Sequence, residues 1–162
     1  MNRLYPVGIQ NFEKIRKDGY IYVDKTASLY QLVKTGQYYF LSRPRRFGKS
    51  LMISTLEAYF TGKRELFKGL EMERLEKDWT VYPVLYMDLN TRNYYDYESL
   101  VGILSQNLEE WEKLYGDEKD RVPEERFMYV IKRACEKTGH KVVILIDEYD
   151  KPILQTISKP EL

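Results

Sequence analysis

The chain has 162 residues, of which 43% are hydrophobic and 31% charged, and its formal net charge is +1, from 26 basic and 25 acidic residues. These values are typical of one globular domain with a hydrophobic core. They exclude a disordered chain and a strongly basic surface for binding nucleic acid. A single cysteine excludes an internal disulfide, and a single histidine excludes a multi-histidine metal site. There is no membrane-length apolar run and no signal-like start, so we expect a cytoplasmic location and no membrane partner.

The first half of the chain predicts helices around a short strand. Apolar residues at helical spacing predict one helix over residues 26–35 and another over residues 49–60. Between them, the aromatic and aliphatic run Tyr38–Leu41 predicts a strand, and residues 43–48 predict a loop. Charged residues alternate with leucines over residues 63–79, which we interpret as short helical pieces.

The second half alternates strands with helices. Residues 82–89 predict a strand, and the amphipathic pattern of residues 97–115 predicts a long helix. A second helix starts near Pro123 and stops at Gly139. The continuous apolar run over residues 142–146 suits a strand that is covered on both faces, as in a parallel sheet. This alternation predicts a three-layer α/β fold with a mostly parallel sheet, in one continuous domain.

The triplet Gly48-Lys49-Ser50 follows the first predicted strand and opens a predicted helix. A helix start offers unpaired N–H groups and the positive end of the helix dipole, which suits phosphate. Lys49 can reach the β- and γ-phosphates, and the Ser50 hydroxyl can ligate Mg²⁺. The full pattern, G-x-x-x-x-G-K-[ST], has its first glycine where this chain has Arg43. We expect Lys49 to be catalytic and the nucleotide to contact Arg45, Arg46, Phe47, Gly48, Lys49, Ser50 and Leu51.

The second motif is Asp147-Glu148, which ends the apolar strand. The strand is expected to carry Asp147 to its carboxyl end, near Ser50, where the two residues can hold Mg²⁺. Glu148 can then polarise the attacking water, so we expect it to be catalytic. The alternative is a buried strand followed by a solvated acidic turn, and the presence of the upstream triplet favours the paired nucleotide site.

Two further segments have competing interpretations. The basic cluster Arg43, Arg45, Arg46 and Lys49 favours phosphate handling, while a nucleic-acid backbone patch and a solvated basic loop stay open. Asp24-Lys25-Thr26 lies at the start of the helix predicted over residues 26–35. A helix-capping role for this segment is favoured over a role at the nucleotide site.

Taken together, these motifs resemble the AAA-ATPase-like family of bacterial and archaeal proteins. The resemblance is carried by Gly8–Phe12, Tyr22–Thr26, Arg43–Ser50 and Ile146–Pro152, and it runs along almost the whole chain. It implies a P-loop ATPase domain of the additional-strand, catalytic-glutamate class, with its Walker A motif at 43–50 and its Walker B motif at 142–148. Arginine at position 43 is typical of this family.

The resemblance implies ATP as the nucleotide, Mg²⁺ as its cofactor, and Mg²⁺-dependent hydrolysis as the activity. Two alternatives stay open: a nucleotide-binding or interaction module without turnover, and the regulatory part of a DNA-associated nuclease system. Members of the family often continue into a restriction-endonuclease-like nuclease domain. DNA would therefore be a partner only through such a domain, and homo-oligomerisation also stays open.

The resemblance also bears on the extent of the domain. In this class of ATPase, a further strand inserts between the Asp-Glu strand and the phosphate-loop strand. Residues 148–162 are too few for another helix–strand unit. We therefore expect residues 1–162 to be the N-terminal portion of a single P-loop ATPase domain, truncated after the Walker B strand. We expect ATP hydrolysis of the full-length protein, and whether this portion hydrolyses ATP by itself stays open.

Overall fold

The computed structural model describes residues 4–42, 44, 47–91, 93–117 and 121–157, with only the backbone described at residues 156 and 157. The chain divides into two compact units, Met1–Val81 and Tyr82–Leu162. The first unit is helical, and its α-helices are α1 (Phe12–Lys17), α2 (Thr26–Thr35), α3 (Lys49–Phe60) and α4 (Glu71–Leu75). A 3₁₀ turn at Arg64–Phe67 precedes α4, so the predicted helices at 26–35 and 49–60 and the short pieces within 63–79 are confirmed.

An aromatic cluster forms the core of the first unit. Phe12 of α1 packs against Tyr22 and Phe67, with ring centroids 5.1 and 5.0 Å apart. Phe67 in turn packs against Trp79, with ring centroids 5.2 Å apart. Tyr59 brings α3 into the same cluster through its contacts with Phe67 and Trp79. The burial of these large rings fixes the carboxyl half of α3 on the core.

The predicted strand at Tyr38–Leu41 is wrong, because these residues have no regular secondary structure. A strand exists only through its ladder to a neighbour, which local β-propensity does not supply. Instead, the Tyr39 hydroxyl donates a hydrogen bond to the carbonyl of Leu32, in the last turn of α2. Carbonyls in the last turn of a helix lack an intrahelical donor, and Tyr39 supplies one. The segment therefore folds back on the end of α2.

A buried carboxylate links three parts of the first unit. Glu76 Oε2 accepts a hydrogen bond from the Tyr59 hydroxyl and lies 3.0 Å from the Lys34 ammonium. Its Oε1 accepts the backbone N–H groups of Lys77 and Asp78, at 2.9 and 3.0 Å. Burial alone raises the pKa of Glu76, but these partners outweigh it and lower the pKa to about 2.

The second unit combines a parallel sheet with helices. Its elements are β1 (Val84–Asp88), α5 (Tyr97–Tyr115), α6 (Pro123–Thr138), β2 (Val143–Asp147) and α7 (Lys151–Ile157), with a 3₁₀ turn at Leu89–Thr91. The two strands pair in parallel, from Val84 opposite Val143 to Asp88 opposite Asp147. The two helices predicted in this half of the chain are thus confirmed. The two predicted strands are also confirmed, the first narrower than residues 82–89 and the second shifted by one residue from 142–146. The described part of the chain is a mixed α/β structure with a two-stranded parallel sheet, and the expected three layers stay a prediction.

The core of the second unit lies between β1 and the helices α5 and α6. Leu85 and Met87 of β1 are buried with Leu108 and Trp111 of α5 and with Val130 of α6. The two helices are also joined by a bidentate ion pair, in which Arg126 Nε and Nη2 donate to the two oxygens of Glu112, at 2.8 and 2.7 Å. This planar pairing orients α6 on α5 in addition to the apolar contacts.

The expectation that the last strand is covered on both faces is wrong for the described residues. Leu145 and Asp147 of β2 are buried, whereas Ile144 and Ile146 are 41% and 43% exposed. Side chains alternate between the faces of a strand, so the exposed pair share one face. An apolar run in the sequence does not reveal how many neighbours the strand has. Among the described helices, none is both long and apolar enough to cross a bilayer.

The Glu76 cluster predicts a pH dependence for the stability of the first unit. Because its pKa falls from 4.5 to about 2 on folding, Glu76 stabilises the fold at pH values above 4.5, and this stabilisation is lost as the pH falls towards 2. The difference in unfolding free energy between wild type and Glu76→Gln, measured by urea denaturation, is expected to shrink by about 2 kcal/mol from pH 7 to pH 3. Glu65→Gln, at an exposed position, is the control. A difference that is the same at both pH values would contradict the assignment.

Candidate functional site

The first candidate segment is the start of α3. Gly48 is the N-cap residue, with φ 75° and ψ 25°, a left-handed conformation that strongly favours glycine. Gly48 has no side chain with which to cap the helix, so the first N–H groups of α3 are left for other acceptors. Lys49 and Ser50 form the first turn and are half-buried, as is Leu51, while Phe47 is exposed. An open helix start of this kind is suited to binding an anion.

The other end of α3 is held firmly in the first unit. Ser54 Oγ accepts the backbone N–H of Phe12, the first residue of α1, at 2.9 Å. Thr55 is completely buried, and its hydroxyl donates to the carbonyl of Leu51 at 2.8 Å. The helix is thus anchored by its carboxyl half and presents its amino end.

Part of the predicted phosphate loop lies outside the described residues. This holds for Arg43, Arg45 and Arg46, so the phosphate-handling role of the basic cluster stays a prediction. The predicted nucleotide contacts that the structure describes are Phe47, Gly48, Lys49, Ser50 and Leu51, which are consecutive in the first unit.

The side chains of Asp24 and Thr26 bind N–H groups at helix starts, although the N-cap position of α2 is occupied by Lys25, whose side chain makes no capping hydrogen bond. Asp24 Oδ1 accepts both the backbone N–H and the hydroxyl of Thr26, at 2.8 and 2.7 Å, at the start of α2. Asp24 Oδ2 accepts the N–H of Glu71, and the buried Thr26 hydroxyl accepts the N–H of Met72, which caps α4 as well. Burial raises the pKa of Asp24, but the hydrogen bonds from Thr26 and Glu71 outweigh it and lower the pKa. This motif therefore joins two helix starts.

The second candidate segment is the carboxyl end of β2. Asp147 is its last residue and is only 5% exposed. Its Oδ1 accepts the backbone N–H of Glu148 at 3.0 Å. Glu148 has φ 53°, an uncommon left-handed conformation for a residue with a side chain. Among the described residues, the Glu148 carboxylate has no hydrogen-bond or ion-pair partner. It is therefore available to a ligand or to water.

Sequence reasoning missed a second carboxylate at this edge of the sheet. Asp88 ends β1 directly opposite Asp147. Its Oδ1 accepts the backbone N–H of Asn90 at 2.8 Å, which shapes the turn after β1. The signal was present, because two predicted parallel strands that both end in aspartate bring those residues to one edge. Close by in sequence, Asp150 Oδ1 is buried and has no hydrogen-bond partner within the described part of the chain.

The oxygen donors at these two segments suit Mg²⁺, which prefers carboxylates, hydroxyls and water. Ser50 in the first unit and Asp147 in the second are of this kind. The described residues contain no group of three or more histidine, cysteine or acidic side chains able to hold a metal ion.

Comparison with known proteins identifies the family. The chain belongs to the predicted AAA-ATPase family, whose sequence model matches residues 6–162. It is also similar to an uncharacterized protein encoded in the vnfD 5′ region of Azotobacter chroococcum mcd 1, with 43% identity over 160 residues. That alignment covers 97% of this chain and 31% of the relative, so the chain spans about a third of the length of the curated relative it matches. No solved structure matches the chain.

The left-handed N-cap predicts a specific effect of substituting Gly48. A Cβ at Gly48 or at Gly69, both with positive φ, would meet no atom of the described residues within 4 Å, so the backbone conformation is what opposes substitution there. Gly48→Ala and Gly69→Ala are each expected to lower the free energy of unfolding by about 1 kcal/mol. Only Gly48→Ala should also weaken ATP binding, measured by calorimetry, because it distorts the start of α3. Equal ATP affinity in the two variants would argue against a phosphate site at this helix start.

Proposed function

We propose that this chain binds ATP with Mg²⁺ and hydrolyses it. The match to the predicted AAA-ATPase family over residues 6–162 carries this proposal, since the family suggests an ATP-related function. The open, glycine-capped start of α3 and the acidic carboxyl end of β2 support it, because they offer an anion-binding backbone and oxygen ligands for a metal.

In this proposal, the first turn of α3 binds the phosphates. The N–H groups that follow Gly48 donate to phosphate oxygens, helped by the positive end of the helix dipole. Lys49 neutralises charge on the β- and γ-phosphates, and this charge increases on the way to the transition state. Phe47 and Leu51 flank the turn, and Arg45 and Arg46 add positive charge beside the phosphates.

Ser50 of the first unit and Asp147 of the second would each offer an oxygen ligand to Mg²⁺, which when bound would neutralise part of the phosphate charge. A hydroxyl and a buried carboxylate are the appropriate donors, and Asp147 already has one oxygen oriented by the N–H of Glu148. Asp88, opposite Asp147, would add a second carboxylate at the same edge of the sheet.

Glu148 is the general base. It orients the attacking water and accepts its proton as the water oxygen bonds to the γ-phosphorus. The bond from that phosphorus to the β–γ bridging oxygen breaks in the same step, which releases ADP and phosphate. Two observations support this role: its carboxylate has no partner among the described residues, and its backbone holds a conformation that costs free energy. Strained backbone of this kind persists where the surrounding structure imposes it, often at functional sites.

Lys49→Ala tests the phosphate site. Loss of one charge-assisted hydrogen bond in a partly buried site is expected to weaken the binding of ATP with Mg²⁺ about tenfold to a hundredfold. Calorimetric titration of the full chain measures this change. Lys68→Ala removes an exposed lysine of the same unit and should bind ATP as wild type does. Wild-type affinity in Lys49→Ala would refute the assignment.

Glu148→Gln tests the catalytic step. The amide keeps the size of the side chain but cannot accept the proton, so we expect ATP affinity to be retained and phosphate release to fall about a hundredfold or more. Glu124→Gln, at an exposed position on α6, is the control. Undiminished hydrolysis in Glu148→Gln would remove Glu148 from this role. Binding without any phosphate release by the wild-type chain would favour a nucleotide-binding module without turnover.

A further inference from the structure

We infer that Lys151 and Gln155 are positioning residues that hold Glu148 in its active conformation, by tying α7 to the loop after β1. The inference rests on the proposed function, since it assigns these residues a part in the step that Glu148 carries out. It concerns the second unit alone.

The first observation is that Glu148 needs an external restraint. Its φ of 53° is disfavoured for a residue with a Cβ, because the Cβ then lies too close to the following carbonyl oxygen. Glu148 lies between two fixed points: its N–H donates to Asp147 Oδ1, and its carbonyl accepts the N–H of Lys151, each at 3.0 Å. The direction of the Glu148 side chain therefore depends on where the first turn of α7 is held.

The second observation concerns how the described part of α7 is held. The helix has only seven residues, Lys151–Ile157, too few to be stable by itself in water. Among its described side chains, Ile153 and Leu154 are 57% and 50% exposed. Polar contacts therefore contribute to the attachment of this described part.

Among the described residues, three side-chain hydrogen bonds contribute to this attachment, and they join α7 to the loop that follows β1. Lys151 Nζ donates to the carbonyl of Asn90 at 2.8 Å. Gln155 Oε1 accepts the backbone N–H of Tyr94 at 2.7 Å, and its Nε2 donates to Asn93 Oδ1 at 3.4 Å. They bridge 61 or 62 positions of the sequence, so they join segments that chain connectivity does not hold together. We call these three bonds the α7 strap.

The loop at the other end of the α7 strap is itself rigidly held. Tyr94 is almost completely buried in the core beside β1 and α5, and its hydroxyl donates to the carbonyl of Leu89 at 2.8 Å. Asn90 is fixed by its N–H bond to Asp88 Oδ1. The α7 strap therefore fixes α7 relative to the core, and α7 in turn fixes the backbone of Glu148.

A first experiment examines the strap without any nucleotide. In the full chain, Gln155→Ala and Lys151→Met are expected to speed amide exchange at Lys151 and Leu154 about tenfold, because both amides bond within the turn that the strap holds. Gln31→Ala and Lys132→Met, at exposed positions on α2 and α6, are the matched controls. Exchange as slow as in wild type would overturn the inference.

A second experiment measures the effect on the reaction. Gln155→Ala and Lys151→Met are expected to lower kcat for ATP hydrolysis about tenfold through misplacement of the base, with KM changed less than twofold. Gln155→Glu keeps the acceptor for the Tyr94 N–H and should recover most of kcat. In a Glu148→Gln background, neither substitution should lower the residual rate further, because the group that the strap positions is gone.

The outcomes separate this inference from the proposed function. A wild-type chain that releases no phosphate refutes the proposed hydrolysis and, with it, the positioning role, whatever the amide exchange shows. A wild-type chain that hydrolyses ATP while Gln155→Ala and Lys151→Met keep full kcat overturns the positioning role alone. The positioning role is also overturned if Gln155→Ala and Lys151→Met lower kcat equally in the wild-type and Glu148→Gln backgrounds. Such a result would indicate a general structural effect.

Discussion

The parallel pairing of β1 with β2 is the constraint on which the second unit depends. The register brings Asp88 and Asp147 to the same edge of the sheet, although 58 residues separate them in the sequence. Because of this register, the loop after β1 and the turn after β2 begin next to each other. The α7 strap can form only because these two chain segments leave the sheet side by side. The candidate catalytic glutamate therefore takes its position from the pairing of two short strands.

In the first unit, the constraint is different: the carboxyl half of α3 is packed in the core, while its amino end has no capping side chain. Aromatic packing and the buried Thr55 hold the carboxyl half of α3, while Gly48 lets the chain enter the helix without a capping side chain. The polar groups elsewhere in this unit are largely used for stability: Asp24 and Thr26 cap two helices, and Glu76 receives four donors. Side chains of Asn11, Asp24 and Thr26 bind N–H groups at the starts of α1, α2 and α4, whereas the N-cap of α3 is a glycine without a side chain.

Local patterns predicted the helices better than they predicted the strands. The bounds of α2, α3 and α5 agree with the predicted ranges because helical hydrogen bonds, period and capping signals are all local. Tyr38–Leu41 has the composition of a strand. A strand forms only when its backbone hydrogen-bonds to a neighbouring strand, and here the Tyr39 hydroxyl instead bonds to the end of α2. The run at 142–146 correctly predicted a strand, yet the exposure of Ile144 and Ile146 depends on neighbours that the run does not encode.

The sequence alone determined the four longest helices, the resemblance to the AAA-ATPase-like family, and the candidate residues Lys49, Ser50, Asp147 and Glu148, because these depend on residue type and short spacing. It did not predict α1 and α7. The tertiary structure decided what depends on contacts between distant residues: the pairing of Asp88 with Asp147, the bond from Asp24 to the start of α4, and the strap from Gln155 to Tyr94. The left-handed backbone of Glu148 belongs to the same class, since only surrounding contacts can hold a side-chain-bearing residue there.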